Sequence, residues 1–291
     1  MTKLSKKEQI SVWRPNDVSG IELRTGTAVS EPYPRHWHEE YQFCFIEAGG
    51  GELFYRGTHY DTPRTSLFIV HPGEVHSNQT ETDCSFRSMY VDSGLISQTI
   101  AGATGRAQTL PFFPNPLVLD REITTRYNAL HLSLEHSATT LERESLLLDL
   151  LTQLLEHHAQ DPFQAPTPKK ARRAVVEVRD YIIEFHSRNI SLQELARLAN
   201  LSPFYLTRVF ASTVGMPPHA FQTQVRVAQA KKLIRSGLPL SDVAALTGFA
   251  DQSHFIRHFK HLMKITPGEY LNTRQERSIR RARHELDCAQ A

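Results

Sequence analysis

Two stretches decide the reading of this chain: Ser202-Pro203-Phe204-Tyr205-Leu206-Thr207-Arg208-Val209-Phe210 and Asp251-Gln252-Ser253-His254-Phe255-Ile256-Arg257-His258-Phe259-Lys260. Each opens with a residue suited to cap a helix start, Ser202 followed by Pro203 at the first helical position, and Asp251. Each carries an arginine two residues before an apolar Phe, Arg208 before Phe210 and Arg257 before Phe259. A shorter helical stretch precedes each one. Ser191-Leu192-Gln193-Glu194 is a capping box, followed by Leu192, Leu195, Ala196 and Ala199 at helical spacing and a break at Asn200-Leu201. Ser241-Asp242 is read as the cap of a helix bearing Val243, Ala244 and Leu246, with a break at Gly248-Phe249. Two short helices joined by a tight turn form a helix-turn-helix, whose second helix enters the major groove of duplex DNA. Here the unit occurs twice.

Ala196, Leu201, Leu206, Val209 and Phe210 are expected to hold the first pair together, leaving Pro203, Phe204, Thr207 and Arg208 outward. Phe255, Ile256 and Phe259 do the same in the second pair, leaving Gln252, Ser253, His254 and Arg257 outward. Arg and Gln forks match guanine and adenine edges, so Arg208 and Arg257 are the expected base readers, joined by Phe204, Thr207, Gln252, Ser253 and His254. Ser191, Lys260 and Thr266 are candidates for phosphate contacts, which position the protein without specifying sequence. The helix between the units, about Pro217 to Arg235 with a stop at Ser236-Gly237, spans roughly 28 Å at 1.5 Å per residue. That is of the order of one DNA turn, ~34 Å. A further helix with Val175, Val178, Ile182 and Phe185 on one face precedes them.

Charge agrees with this placement. Residues 169–291 hold 20 Lys and Arg against 10 Asp and Glu, whereas residues 1–168 hold 13 against 21. A basic half joined to an acidic half points to a polyanion partner for the basic half.

Residues 21–91 are read as β structure: Ile21–Val29, Tyr41–Ala48, Glu52–Arg56, Ser66–Val70 and Cys84–Val91 are short alternating or apolar runs. They are separated by Gly49-Gly50-Gly51, Arg56-Gly57, Asp61-Thr62-Pro63 and His71-Pro72-Gly73, and such spacing suggests a barrel or sandwich. Residues 121–158 switch to helical periodicity, with Tyr127, Leu130 and Leu134 and then Leu147, Leu148, Leu151, Leu154 and Leu155. That face either packs on the chain's own barrel or pairs two copies. Asp161–Lys170, with Pro162, Pro166 and Pro168, reads as a linker.

No apolar run approaches the ~18 residues of a membrane span, and Met1–Glu8 has charge but no apolar stretch behind it, so neither membrane nor secretion is expected. Three cysteines, Cys44, Cys84 and Cys288, lack metal-ligand spacing, which suits a reduced cytoplasmic setting.

Residues 186–271 closely resemble the DNA-binding domain of the AraC/XylS family of regulators. Ile190–Ala196, Ser202–Phe210, Gly215–Pro218, Val227–Ile234, Asp242–Ala244, Gly248–Lys260 and Thr266–Leu271 carry the likeness. His36-Trp37-His38, Gln42, Gly49 and Pro72-Gly73-Glu74-Val75-His76 resemble the cupin pattern, and more closely the cupin-like effector domain of these regulators. The expected fold is therefore an α+β two-domain chain: a cupin-like effector-binding and dimerisation domain over residues 1–160 (barrel about 15–95, helices about 121–158), a linker over 161–170, an all-α tandem helix-turn-helix domain over 171–275, and a basic tail over 276–291. Arg277, Arg280, Arg281 and Arg283 of that tail read as a solvated basic stretch.

The resemblance implies a transcription factor, usually an activator, working on double-stranded DNA and RNA polymerase as a homodimer, with no enzymatic activity and no cofactor. Arg24, His36, His38, Gln42, His76 and Arg87 are the expected lining of a pocket for a small polar effector. His36, His38 and His76 are also a candidate metal set, weakened because Gln42 stands where metal-binding cupins carry Glu. The competing reading is a cupin-type metalloenzyme fused to a regulatory DNA-binding module. A third is a barrel that only dimerises.

Overall fold

The computed structural model of the protein describes residues 9–15, 18–29, 32–80, 84–104, 110–161 and 172–271. The expected linker and basic tail lie outside these, apart from Asp161. The chain forms two compact units. The first runs to Glu135, resumes at Arg143, and includes Ser202–Tyr205. The second takes in His136–Glu142, the helices up to Leu201, and Leu206 onward.

The first unit is built from strands β1 (Gln9–Trp13), β2 (Ile21–Val29), β3 (Tyr33–His36), β4 (Tyr41–Ala48), β5 (Gly51–Tyr55), β6 (Thr58–Thr62), β7 (Leu67–Val70), β8 (His76–Thr80) and β9 (Cys84–Val91). Helix α1 (Ser93–Thr104), strand β10 (Leu117–Val118) and helices α2 (Arg121–Glu135) and α3 (Thr140–His157) follow. One antiparallel sheet has the order β1-β2-β9-β4-β7-β10, the other β3-β8-β5-β6. The β architecture expected from the strand spacing is present, as two antiparallel sheets. Alternation along β4 shows how the sheets are used. Tyr41, Phe43 and Phe45 join Ile123, Tyr127, Leu130 and the leucines of α3 in one core. Cys44 and Ile46 face the other way and join Leu53, Tyr55, Phe68, Val70, Cys84 and Phe86 between the sheets. Side chains of successive strand residues point to opposite faces, so one central strand feeds both cores. The Tyr127 hydroxyl donates to the carbonyls of Phe43 (2.9 Å) and Arg87 (3.0 Å), which pins α2 across the sheet. Arg56-Gly57, both at positive φ (50° and 77°), forms the β5–β6 hairpin turn.

The leucine face of α3 resolves one alternative. Leu147, Leu150, Leu151, Leu154 and Leu155 lie in the core beneath the six-stranded sheet, so this face packs on its own unit rather than pairing two copies. Strands β1, β3, β6, β8 and β10 and helix α1 had no sequence expectation. They are short, polar or irregular, and their pairing supplies what their patterning lacks.

The second unit holds α4 (Arg172–Glu184), α5 (Leu192–Ala199), α7 (Pro218–Arg235), α8 (Leu240–Thr247), α9 (Gln252–Met263) and most of α6 (Pro203–Val214). Ser191 caps α5 by accepting from the Glu194 N–H, and Asn200 ends it in the left-handed region. The Ser202 hydroxyl accepts from the Tyr205 N–H at 3.2 Å, and Asp251 caps α9. The expected cap at Ser241-Asp242 is corrected: α8 begins two residues earlier, at Leu240, with Pro239 at its N-cap and no side-chain cap bond. Proline's fixed φ sets that start without a hydroxyl. α8 ends at Gly248 (φ 82°), where an added Cβ would stand 2.3 Å from the Ser187 carbonyl oxygen. Only glycine fits both the backbone angle and the close approach.

Candidate functional site: a barrel pocket and two reading helices

In the first unit, a cavity of about 530 Å³, counted to its mouth, opens between the sheets. Its polar lining comes from even-numbered residues on β2, β4 and β9: Arg24, Gln42, Ser88 and Tyr90, with Tyr33, His36, Glu52 and Asn78 from the other sheet and its approaches. Gln42 donates through Nε2 to Ser88 Oγ (3.1 Å) and the Tyr90 hydroxyl (3.0 Å). Arg24 lies 4.5 Å over the Tyr90 ring and pairs with Glu22 at 2.9 Å.

His36, His38 and His76 gather beside this lining. Ring centroids stand 4.2 Å apart for His36 and His76, 5.0 Å for His38 and His76, and 6.2 Å for His36 and His38. In each ring Nδ1 faces a main-chain carbonyl: Pro34 at 2.8 Å, Glu40 at 2.7 Å and Glu74 at 3.1 Å. A carbonyl only accepts, so Nδ1 carries the proton and Nε2 keeps its lone pair. His76 Nε2 is buried without a partner. His38 Nε2 sits 3.4 Å from Gln42 Oε1, one acceptor facing another, because the Gln42 amide nitrogen is used elsewhere. Burial, first of all, lowers the His76 pKa to about 4, and it lowers that of His38 as well, so these rings are neutral near pH 7.

Arg87 is corrected as a pocket residue. It alternates with Phe86 and Ser88 on β9 and therefore faces the helices, where it bonds Glu135 and Glu47. His71 was missed. It is 6% exposed, bonds the Tyr55 hydroxyl (2.9 Å), the Arg56 guanidinium (2.8 Å) and the Phe113 N–H (2.9 Å), and burial lowers its pKa to about 4. Its sequence context, His71-Pro72-Gly73, reads only as a turn.

In the second unit, Gln252, Ser253, Arg257 and Lys260 are exposed on α9, as expected. On α6, Thr207 and Arg208 are half-buried. Two expected outward side chains are not outward. Phe204 is 2% exposed, its ring withdrawn from water as apolar transfer favours. His254 is 1% exposed, because its ring completes the start of α9. Its Nδ1 accepts from the Ala250 N–H at 3.1 Å, while its own N–H donates to Asp251. The imidazole thus reaches back past the N-cap to the N–H of the residue before it, a variation on the capping box.

With Nδ1 accepting, His254 Nε2 bears the proton, and it donates to Glu142 Oε2 at 3.0 Å. His258 Nε2 is 3.3 Å from the other oxygen. Burial works to raise the Glu142 pKa, but the bonds from His254 and His258 outweigh it and hold the carboxyl well below its usual range. Glu142, His254 and His258 bring ligand atoms within 4.8 Å of one another, a spacing that suits a metal ion. Tautomer argues against one. A metal-bound imidazole donates its other N–H, whereas His254 Nδ1 accepts. A buried cation also faces this carboxylate: Arg226, 1% exposed, donates to the His186 (2.7 Å) and Arg188 (2.9 Å) carbonyls, and burial lowers its pKa to about 10.

A two-sheet domain with an open pocket, followed by a duplicated helix-turn-helix, defines a regulator of transcription with a ligand-binding and a DNA-binding domain. The AraC-like ligand binding domain family matches residues 19–151 and the helix-turn-helix domain family residues 195–273. The chain is 31% identical to the probable transcriptional regulator LumQ of Photobacterium leiognathi, covering 73% of this chain and 90% of that one. It is 28% identical to the uncharacterized regulator YbfI of Bacillus subtilis (strain 168), over 80% of this chain and 85% of that one. It is 23% identical to the transcriptional activator RhaS of Yersinia pestis (strain Pestoides F), over 82% and 89%. The chain belongs to the AraC family of transcriptional regulators. Among the described residues no helix is long and apolar enough to cross a membrane.

Proposed function

We propose that this regulator reads an asymmetric DNA site with α6 and α9 under the control of a small polar effector held between the sheets of the first unit. One observation carries the DNA reading: the capped helix pair occurs twice, joined by α7, with Arg208 and Arg257 at matching places on the second helices. An 18-residue α7 is ~27 Å long, of the order of one turn of B-DNA. Gln252 and Ser253 extend the reading on α9. Thr207 joins it on α6, with Phe204 and His254 as supporting rather than contacting residues. Lys260, Ser191 and Thr266 are proposed as phosphate contacts. Activation is the sign we infer, since the relative RhaS is an activator, with RNA polymerase as the partner, cytoplasm as the compartment and no catalytic role. Homodimerisation is proposed through a surface other than the buried α3 leucines.

The effector site is proposed to use Arg24, Gln42, Ser88, Tyr90 and Asn78, whose Oδ1 is buried without a partner. Buried acceptors without partners favour a ligand rich in hydroxyl or N–H donors. A second reading has its own support: the His36, His38 and His76 rings lie 4.2 to 6.2 Å apart and His76 Nε2 is buried without a partner, so one divalent cation held there would in turn orient an effector oxygen.

Selection of bound duplexes from random-sequence DNA with the full chain tests the DNA reading. A recovered motif that weakens specifically in Arg208→Ala and Arg257→Ala is the expected result. Recovery of no motif overturns it. For the pocket, a thermal-shift screen of polyols, sugars and amino alcohols is expected to yield a stabilising ligand that Arg24→Ala or Gln42→Ala abolishes.

A further inference from the structure

We propose that the segment His136–Glu142 is a releasable clamp on α9, withholding Arg257 from DNA until it lets go. The inference rests on the DNA reading above. Four residues of one flank of α9 are engaged by this segment. Glu142 takes the His254 Nε2–H (3.0 Å) on one oxygen and faces His258 Nε2 (3.3 Å) on the other. Arg257 Nη2 donates to the Ser137 carbonyl at 2.7 Å. The Ser137 side chain bonds Asp251, the cap of α9. Positions 251, 254, 257 and 258 recur at three- and four-residue steps and so form one continuous side of the helix. Behind them, Asn189 bonds the Thr140 N–H (3.2 Å) and hydroxyl (2.9 Å) and fixes the segment's far end to the α4–α5 turn.

The segment and DNA compete for Arg257, while Gln252, Ser253 and Lys260 stay exposed. An α-helix with its side chains is ~10–12 Å across, and the major groove is ~12 Å wide. Inside the groove α9 would turn its exposed side to the base edges, Arg257 among them. Meanwhile an arginine that reads guanine edges has a guanidinium nitrogen committed to Ser137. The contact is also made to be broken. The Ser137 carbonyl and hydroxyl are neutral partners, so on opening water is able to satisfy them. The closed form spends the charge of Glu142 on holding α9, and DNA competes for Arg257.

The test uses the full chain and a fluorescein-labelled duplex of about three helical turns recovered by the selection described above. Glu142→Ala and Ser137→Ala are each expected to raise affinity at least about fivefold, the lower end of measured couplings between sites. In the unsubstituted protein, adding the duplex is expected to speed amide exchange across residues 137–142 while slowing it in α9. Unchanged or weaker binding by both variants, each shown to be folded by its circular dichroism, overturns the clamp. So does a duplex complex in which residues 137–142 stay as protected as in the free protein, a measurement that needs no substitution. Loss of affinity in Arg257→Ala alongside a null result in Glu142→Ala and Ser137→Ala leaves the DNA reading standing and removes the clamp. No effect of Arg208→Ala or Arg257→Ala removes both.

Discussion

Two histidine clusters of this protein share composition and differ in chemistry. In the first unit, His36, His38 and His76 each give their Nδ1 proton to a main-chain carbonyl, leaving Nε2 as an acceptor with little or nothing to accept from. On α9, His254 accepts at Nδ1 from Ala250, so its Nε2 becomes a donor that a carboxylate already occupies. The ring is the same. The partner of the far nitrogen decides whether the near one can take a cation or a ligand proton, or is already spent on structure.

The largest expected effect comes from acid. His71, His76 and His131 of the first unit have folded pKa values of about 4, each lowered first by burial, against ~6.5 in an unfolded chain. Between those values the unfolded state binds more protons, so stability rises with pH across that window and is lost as pH falls from about 6.5 toward 4. The loss is on the order of several kcal/mol in total by about pH 5. The Glu142 carboxyl has its folded pKa depressed, so what it contributes is present above the unfolded value and persists further into acid. Urea midpoints that stay flat between about pH 7.5 and 5 would mean the barrel imidazoles are not held neutral.

Next in size is truncation on α9. His254→Ala deprives the Ala250 N–H and the buried Glu142 of their partner at once, and should cost about 2–4 kcal/mol in urea unfolding. A loss below about 0.5 kcal/mol would show that the bond is not made in solution. A metal titration sharpens the contrast. Zinc or nickel at a hundredfold excess over its Kd should stabilise the protein by about 2.7 kcal/mol. That gain should vanish in His38→Ala/His76→Ala and survive Glu142→Gln. The opposite pattern would reverse the assignment of the two clusters. Arg257→Ala should weaken a selected duplex by about 1–3 kcal/mol and relax specificity at one position. An equal loss on every sequence would make it a phosphate contact. The smallest change is expected at His36, half-exposed at the cavity mouth, where truncation should shift stability by less than about 1 kcal/mol.

Much of the fold was legible before any coordinates, because the signals were local. Strands β2, β4 and β9 follow the sequence runs residue for residue, since their apolar content is continuous or strictly alternating. Ser191, Ser202 and Asp251 begin helices because a side-chain oxygen can satisfy an N–H two or three residues on, whatever surrounds it. The duplication and its two arginines needed nothing more. The pocket was half legible: Arg24, His36 and Gln42 line it, whereas Arg87 fails by strand parity, a single step along β9.

The amino-acid order by itself determined the two-part architecture, the helix starts and the repeated reading unit, all of which depend on neighbours within about one turn or one strand. Only the tertiary structure decided that His254 and Phe204 turn inward, that the α3 leucines close the barrel core, and that Glu142 meets α9. Those outcomes depend on a partner more than a hundred positions away or on the burial that long-range packing creates. Hydrogen bonds and desolvation act over ångströms of space and carry no mark in the spacing of the residues that make them.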